Sequence, residues 1–295
     1  MTELTSDCIL DAKAILGEGP SWDLVTKSLL WIDIENRRVH RYDPATRENK
    51  TWQLEHRVGF AVPTAKGDIL AGTQQGIVRL DPNRGTVTPL SDPESDQPQN
   101  RFNDGKCDPV GRIWAGTMCI DEEHGANQGK LYRIDGNVEI SKMLDDITIS
   151  NGLAWSADQK TMYYIDTPTM RVDAFDFEAD SGTITNRRPA IQIPEGIGYP
   201  DGMTIDAEGM LWVALWQGWG VTRWNPATGE MIGKISVPVE RVTSCCFGGD
   251  ELKELFITTA SRDMKEEDWP KQPQAGGLFV ASPGVSGLSS VPFSG

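Results

Sequence analysis

Four side chains that carry oxygen donors recur at one point of a repeating pattern. They are Glu18, Asn103, Asn151 and Asp201, in Gly17-Glu18-Gly19-Pro20, Phe102-Asn103-Asp104-Gly105, Ser150-Asn151-Gly152 and Pro200-Asp201-Gly202. Each is followed within two residues by glycine, and each lies 11 to 13 residues before an aromatic marker of an apolar run: Trp31, Trp114, Tyr163 or Trp212. Two carboxylates and two carboxamides make an all-oxygen donor set, which suits a hard divalent cation such as Ca²⁺, Mg²⁺ or Mn²⁺. A structural zinc site would call for Cys or His, and His40, His56 and His124 all lie outside these segments. Asn-Gly and Asp-Gly pairs also form turns. Recurrence at one place in the repeat is what sets these four apart. Arg101 stands two residues before Asn103. Its planar donor fork suits a polyhydroxylated or carboxylated ligand, or else a salt bridge that fixes the loop.

The elements that must position these residues are short strands. The apolar runs around Trp31, Leu70, Trp114, Tyr163, Trp212 and Phe256 follow one another at steps of 39, 44, 49, 49 and 44 residues. A strand-built period of this length signals a β-propeller. The pattern predicts six blades of four antiparallel strands, named A to D from the axis outward, in one domain over residues 1–295. The apolar runs are the B strands, read with period two. The four oxygen donors lead into A strands, so closure of the ring brings them to one end of the axis. Two insertions interrupt the rhythm between strands B and C, at 119–129 in blade three and 261–276 in blade six. Both emerge on the face where A strands begin, and loops on a rigid scaffold are where sites concentrate. The N-terminal segment 7–15 is expected to supply the outer strand of blade six and close the ring, which removes two open edges.

The bulk numbers exclude several classes. With 28 basic and 43 acidic residues in 295 the formal net charge is −15. That disfavours nucleic acid, whose binding rests on phosphate neutralisation, and anionic membrane surfaces. There is no basic segment followed by an apolar run at the start, and no stretch long enough to span a bilayer, so a cytoplasmic location is expected. No obligate protein partner is implied. The five cysteines form no CxxC, and Cys245-Cys246 lies in an apolar stretch that reads as core. Trp216 and Trp219 fall in a B–C loop, where they stack on a sugar face or pack at the blade end. No phosphate loop and no nucleophile elbow occurs.

Taken as a set, Leu16-Gly17-Glu18-Gly19-Pro20, Asn100-Arg101-Phe102-Asn103-Asp104-Gly105-Lys106, Ala115-Gly116-Thr117-Met118, Ile149-Ser150-Asn151-Gly152-Leu153, Pro200-Asp201-Gly202-Met203, Ser244-Cys245-Cys246-Phe247-Gly248-Gly249 and Ala275-Gly276-Gly277 resemble the SMP-30/gluconolactonase/regucalcin family. The resemblance runs from about Cys8 to Val280, and Trp-Gln-Gly-Trp-Gly at 216–220 is similar to the bacterial sugar-lactone branch. It implies a six-bladed propeller with a single divalent cation in the central channel and hydrolysis of aldonolactones. By resemblance, Glu18, Asn151 and Asp201 are the metal ligands and Asp201 is also the general base. Arg101 and Asn103 contact substrate or metal-bound water. Asp121 stands where the family has a glutamate for substrate binding. The expected cofactor is one ion, Ca²⁺ foremost, with Zn²⁺, Mn²⁺ or Mg²⁺ as alternatives, and the expected partner is a small sugar lactone. A competing reading is a non-catalytic calcium-binding or scaffolding propeller, since fold alone does not define function. A paraoxonase-type esterase would need histidines at the mouth, and none is placed there.

Overall fold

A computed structural model describes residues 2–295, with side chains from Leu4 onward. Six antiparallel sheets stand around one axis. Their A strands are Gly17–Asp23, Val58–Pro63, Asn100–Cys107, Ser150–Trp155, Tyr199–Ile205 and Val242–Gly248. Each A strand contacts the A strand of the next blade, and the sixth contacts the first, so the ring is closed. The expected six-bladed β-propeller is what this chain forms.

The B strands differ from the alternating pattern read in the sequence. Ser28–Asp33, Ile69–Thr73 and Ile113–Cys119 are buried at every position. Each blade is covered on both faces by its neighbours, so alternate residues pack against different blades and none meets water. Between blades three and four, Trp114 meets Trp155 and Phe177 edge-on at 6.3 and 6.1 Å.

Closure uses the N-terminal segment as expected, with a shorter strand. Asp7–Leu10 pairs antiparallel with Leu278–Ala281 as the outer strand of blade six. Residues 11–15 leave it and turn toward blade one, with Lys13 in the left-handed region at φ 53°. A further strand, Thr2–Thr5, lies parallel on Glu230–Ser236 and covers the outer edge of blade five. At the other end of the chain, the last residues run under the face opposite the mouth. Phe293 is fully buried there and bridges Thr64, and Gly287 bridges Asp206.

Polar side chains at equivalent positions hold the turns. Asp108 and Asp206 end A strands, accept two backbone N–H groups of the following turn, and accept the indole N–H of Trp114 and Trp212 at 3.0 and 2.9 Å. Each also binds an arginine, Arg112 or Arg223. On the mouth face the same device fixes the approach to the oxygen donors. Asp33 accepts the N–H groups of Ile15 and Leu16 ahead of Glu18, and Asp166 accepts those of Thr148 and Ile149 ahead of Asn151.

His40 gives the fold a pH dependence. Its ring stacks on Trp31 at 4.0 Å. Asn49 fixes its own amide by accepting the Trp31 indole N–H at 3.1 Å, and so presents its NH₂ to His40 Nδ1 at 3.2 Å. A nitrogen that accepts carries no proton, so the ring is neutral. Burial lowers its pKa from 6.5 to about 4, against an opposing pull from Asp33. The folded value lies below the unfolded one, so the contribution is complete above about pH 6.5 and declines as pH falls toward 4. The difference amounts to about 3 kcal/mol. Thermal melts of the wild type and His40→Gln across that range are expected to converge as the pH drops. A gap that does not change with pH contradicts the neutral ring.

Candidate metal and substrate centre

Every A strand carries a register shift at its mouth end, between Glu18 and Ser21, Val58 and Phe60, Phe102 and Asp104, Asn151 and Leu153, Pro200 and Met203, and Val242 and Ser244. A bulge re-aims a side chain and ends regular pairing. Here it falls on the oxygen-donor position of all four blades that have one. The adjoining glycine permits close approach of neighbouring A strands. A Cβ on Gly202 would lie 2.0 Å from Ser244 Oγ, and one on Gly59 2.0 Å from the Phe102 carbonyl oxygen.

The structure brings Glu18, Arg101, Asn103, Asn151 and Asp201 together, all buried. Arg101 Nη1 donates to the Phe102 carbonyl at 3.0 Å and to Asn103 Oδ1 at 2.6 Å. Asn103 Nδ2 donates to the Ser150 carbonyl at 2.7 Å and lies 3.5 Å from Asn151 Oδ1. Asn151 Nδ2 donates to Thr167 Oγ1 at 2.8 Å, and that hydroxyl donates to the Pro200 carbonyl at 2.8 Å. Thr167 therefore orients Asn151 so that its amide oxygen is left for the centre. Besides burial, Glu18 and Asn151 both act electrostatically on the Asp201 carboxyl, Glu18 raising it and Asn151 lowering it.

The electrostatics are those of crowded anions. Burial raises the Glu18 carboxyl, and the neighbouring Asp104 charge raises it further. Burial also raises Asp201, followed by the Glu18 and Asp104 charges. Asp104, the first residue of an Asp-Gly pair, is a third buried carboxylate of this centre, and burial raises it too. Its sequence signal was its place beside Asn103 alone. Arg101 makes no ion pair among the described residues, and burial pushes its guanidinium down to about 10. Among the described residues no group of three or more His, Cys, Asp and Glu is arranged as the ligands of one ion. The convergent donors are two carboxylates and a carboxamide, with a second carboxamide beside them. Three buried carboxylates against the single guanidinium of Arg101, whose charge pulls Glu18 down, leave a surplus of negative charge. An all-oxygen donor set with that surplus fits a hard divalent cation.

Asp121 is not brought into this group. It is exposed on the blade-three insertion and pairs with His124 at 3.2 Å. The next residue, Glu122, instead reaches Arg262 of the blade-six insertion at 2.8 Å. Trp216 packs beneath the guanidinium of Arg241 at 5.5 Å, whereas Trp219 is 41% exposed. Cys245 and Cys246 are core residues whose thiols burial pushes up. A separate cavity of about 250 Å³ at the opposite end of the axis is lined by Trp22, Lys106, Trp155 and Leu288, among others, and holds none of the oxygen donors.

A six-bladed propeller with acids, carboxamides and one unpaired arginine gathered at one end of its axis defines the class of this protein. The chain belongs to the SMP-30/gluconolactonase/LRE-like family, whose model matches residues 16–261. It is 38% identical over 300 residues to regucalcin of Xenopus laevis, covering 100% of both chains. It is likewise 38% identical over 291 residues to the Bacillus subtilis (strain 168) protein named "Putative sugar lactone lactonase YvrE", covering 98% of this chain and 99% of that one. Among solved structures, a calcium-binding protein, regucalcin, from Agrobacterium tumefaciens str. C58 superposes with a TM-score of 0.94 at 27% identity, over 99% of both chains. Among the described residues no helix is long and apolar enough to cross a membrane.

Proposed function

We propose that this protein hydrolyses a sugar lactone to the corresponding aldonic acid, with one divalent cation, Ca²⁺ foremost, held by Glu18, Asn151 and Asp201. The observation that carries the reading is that two buried carboxylates, Glu18 and Asp201, act on one another at the channel mouth beside the linked carboxamides of Asn103 and Asn151. Family membership and the sugar-lactone name of a full-length relative support the substrate class.

When bound, the ion supplies a Lewis acid for the lactone carbonyl and the positive charge that the two carboxylates lack. Asp201 accepts a proton from the water whose oxygen attacks the acyl carbon. The ring C–O bond breaks, and the departing ring oxygen takes up the proton that Asp201 accepted, leaving an open-chain acid and a free Asp201 carboxylate. Arg101 and Asn103, already hydrogen-bonded to each other, present N–H donors that orient the sugar hydroxyls. Thr167 keeps Asn151 turned for its task. Asp121 stays a candidate contact for the outer end of the sugar, on the insertion above the mouth.

The test is a screen of aldonolactones against chelator-stripped protein to which Ca²⁺, Mg²⁺, Mn²⁺ or Zn²⁺ is returned singly. The expected result is turnover of at least one lactone that disappears with chelation and returns with one of the ions. Full activity in the stripped sample would end the metal-assisted account. Metal binding without turnover of any lactone would favour the calcium-binding scaffold.

A further inference from the structure

Blade three carries Arg101 and Asn103, the groups assigned above to the sugar, and its strands are anchored unlike those of blades one and four. In those two blades the B strand ends in an aspartate opposite the first residue of the A strand, Asp33 facing Gly17 and Asp166 facing Ser150. Their carboxylates hold the chain that leads to Glu18 and to Asn151. In blade three the same place, opposite Asn100, is taken by Cys119. A thiol is a weak acceptor and does not replace a carboxylate there.

A buried carboxylate from another element does so. Glu94 lies in the loop that leads from blade two into blade three and is 7% exposed. Its Oε2 accepts from Asn100 Nδ2 at 3.0 Å. Its Oε1 accepts from Thr117 Oγ1 at 3.0 Å, Tyr132 Oη at 3.0 Å and Lys130 Nζ at 3.3 Å. One side chain thus ties together the A strand, the B strand and the C strand Gly129–Ile134 of the blade. Lys130 supplies the counter-charge. Burial and then the Glu94 charge raise the Tyr132 hydroxyl, which keeps it a donor. Asn100 pairs with Cys119 and Phe102 with Thr117, so the two clamped positions flank the pair Arg101–Met118. The bulge that aims Asn103 begins directly after them. The same junction roots the blade-three insertion at both ends. Ile120 N–H donates to the Gln99 carbonyl at 2.8 Å, and Asn100 Nδ2 also reaches the Gln128 carbonyl at 3.0 Å.

We infer that Glu94 is a positioning residue for sugar recognition, which through Asn100 holds Arg101, Asn103 and the root of the insertion bearing Asp121 as one unit. This rests on the lactone-hydrolysis reading above. All four hydrogen bonds of the Glu94 carboxylate go to blade three, and none goes to Glu18, Asn151 or Asp201. Those proposed ligands come from blades one, four and five, and Thr167 orients Asn151 independently. Loosening Glu94 therefore weakens the grip on the sugar and leaves the cation in place. Small displacements of orienting groups far from the reacting bond are enough to be felt in rate.

The test uses full-length, metal-reconstituted protein and the aldonolactone that the wild type opens best in the screen above. Glu94→Gln keeps the size of the side chain. If its oxygen keeps the donors of Thr117, Tyr132 and Lys130, its NH₂ faces the NH₂ of Asn100 and that bond is lost. KM is expected to rise about tenfold with kcat unchanged, the pattern of lost binding rather than lost chemistry. Asn100→Ala removes the same bond from the other side and is expected to do the same. Tyr132→Phe removes a different donor to Glu94 and leaves Asn100 held, so it is expected to lower Tm and leave KM unmoved. Calorimetric titration with Ca²⁺ is expected to give the wild-type affinity in all three variants. A KM that both Glu94→Gln and Asn100→Ala leave unmoved overturns the positioning role and leaves lactone hydrolysis standing. So does a KM that Tyr132→Phe raises equally, or a rise that comes with weaker Ca²⁺ binding. A folded, metal-loaded wild type that opens no aldonolactone overturns both.

Discussion

Asp201→Asn is expected to lower kcat/KM for lactone hydrolysis by a factor of about 1,000 or more while the protein stays folded. A positioned general base alone contributes about 100- to 10,000-fold, and the same change removes an anionic metal ligand. The stability effect has the opposite sign. Asp201 is buried against the Glu18 and Asp104 charges, which raise its pKa together with burial itself. A neutral amide of the same shape relieves that repulsion, and Asn151 keeps its bonds to Thr167 and Asn103. In the presence of chelator the variant is therefore expected to melt no lower than the wild type. Steady-state kinetics and calorimetric melts of the same samples check both halves. Near-native turnover would remove Asp201 from the chemistry, and a sharp loss of stability in chelator would contradict the picture of crowded anions.

The second large effect is on metal-linked stability. A ligand that binds only the folded state, present at about 100 times its Kd, stabilises by about 2.7 kcal/mol. For a chain of this length that corresponds to a rise in Tm of about 5 °C. Glu18→Gln removes one of the two proposed carboxylate ligands, so most of this rise is expected to vanish, with little change in the melt taken in chelator. Glu18 stands at the bulge of its strand, and its carboxylate accepts the Gly19 N–H at 2.9 Å. A full metal-induced rise in the variant would show that the ion sits elsewhere.

Much of the architecture was legible because each blade repeats the same turn chemistry and the same buried strand. Asp108 and Asp206 illustrate this, each closing a turn and binding a tryptophan six residues on. The clustering of Glu18, Asn103, Asn151 and Asp201 was legible for the same reason, since a repeat places equivalent positions at one end of the axis. What the sequence hid has physical causes. The bulges that aim these side chains leave no mark on apolar periodicity. Asp104 reads as a turn residue because Asn-Asp-Gly is also turn chemistry, and only the fold reveals its burial. The ion pair between Glu122 and Arg262 joins residues 140 apart in irregular insertions, where no period exists to align them. The strand Thr2–Thr5 was missed because an edge partner is chosen by the open edge it covers rather than by its own pattern.

The central claim is that separate blades deliver Glu18, Asn151 and Asp201 to one cation. Anomalous diffraction from crystals soaked in Mn²⁺ tests it most directly. The account predicts a single strong peak within coordination distance of a Glu18 carboxylate oxygen, Asn151 Oδ1 and an Asp201 carboxylate oxygen. A map with no peak at the mouth, or with the ion held by other side chains, would contradict it.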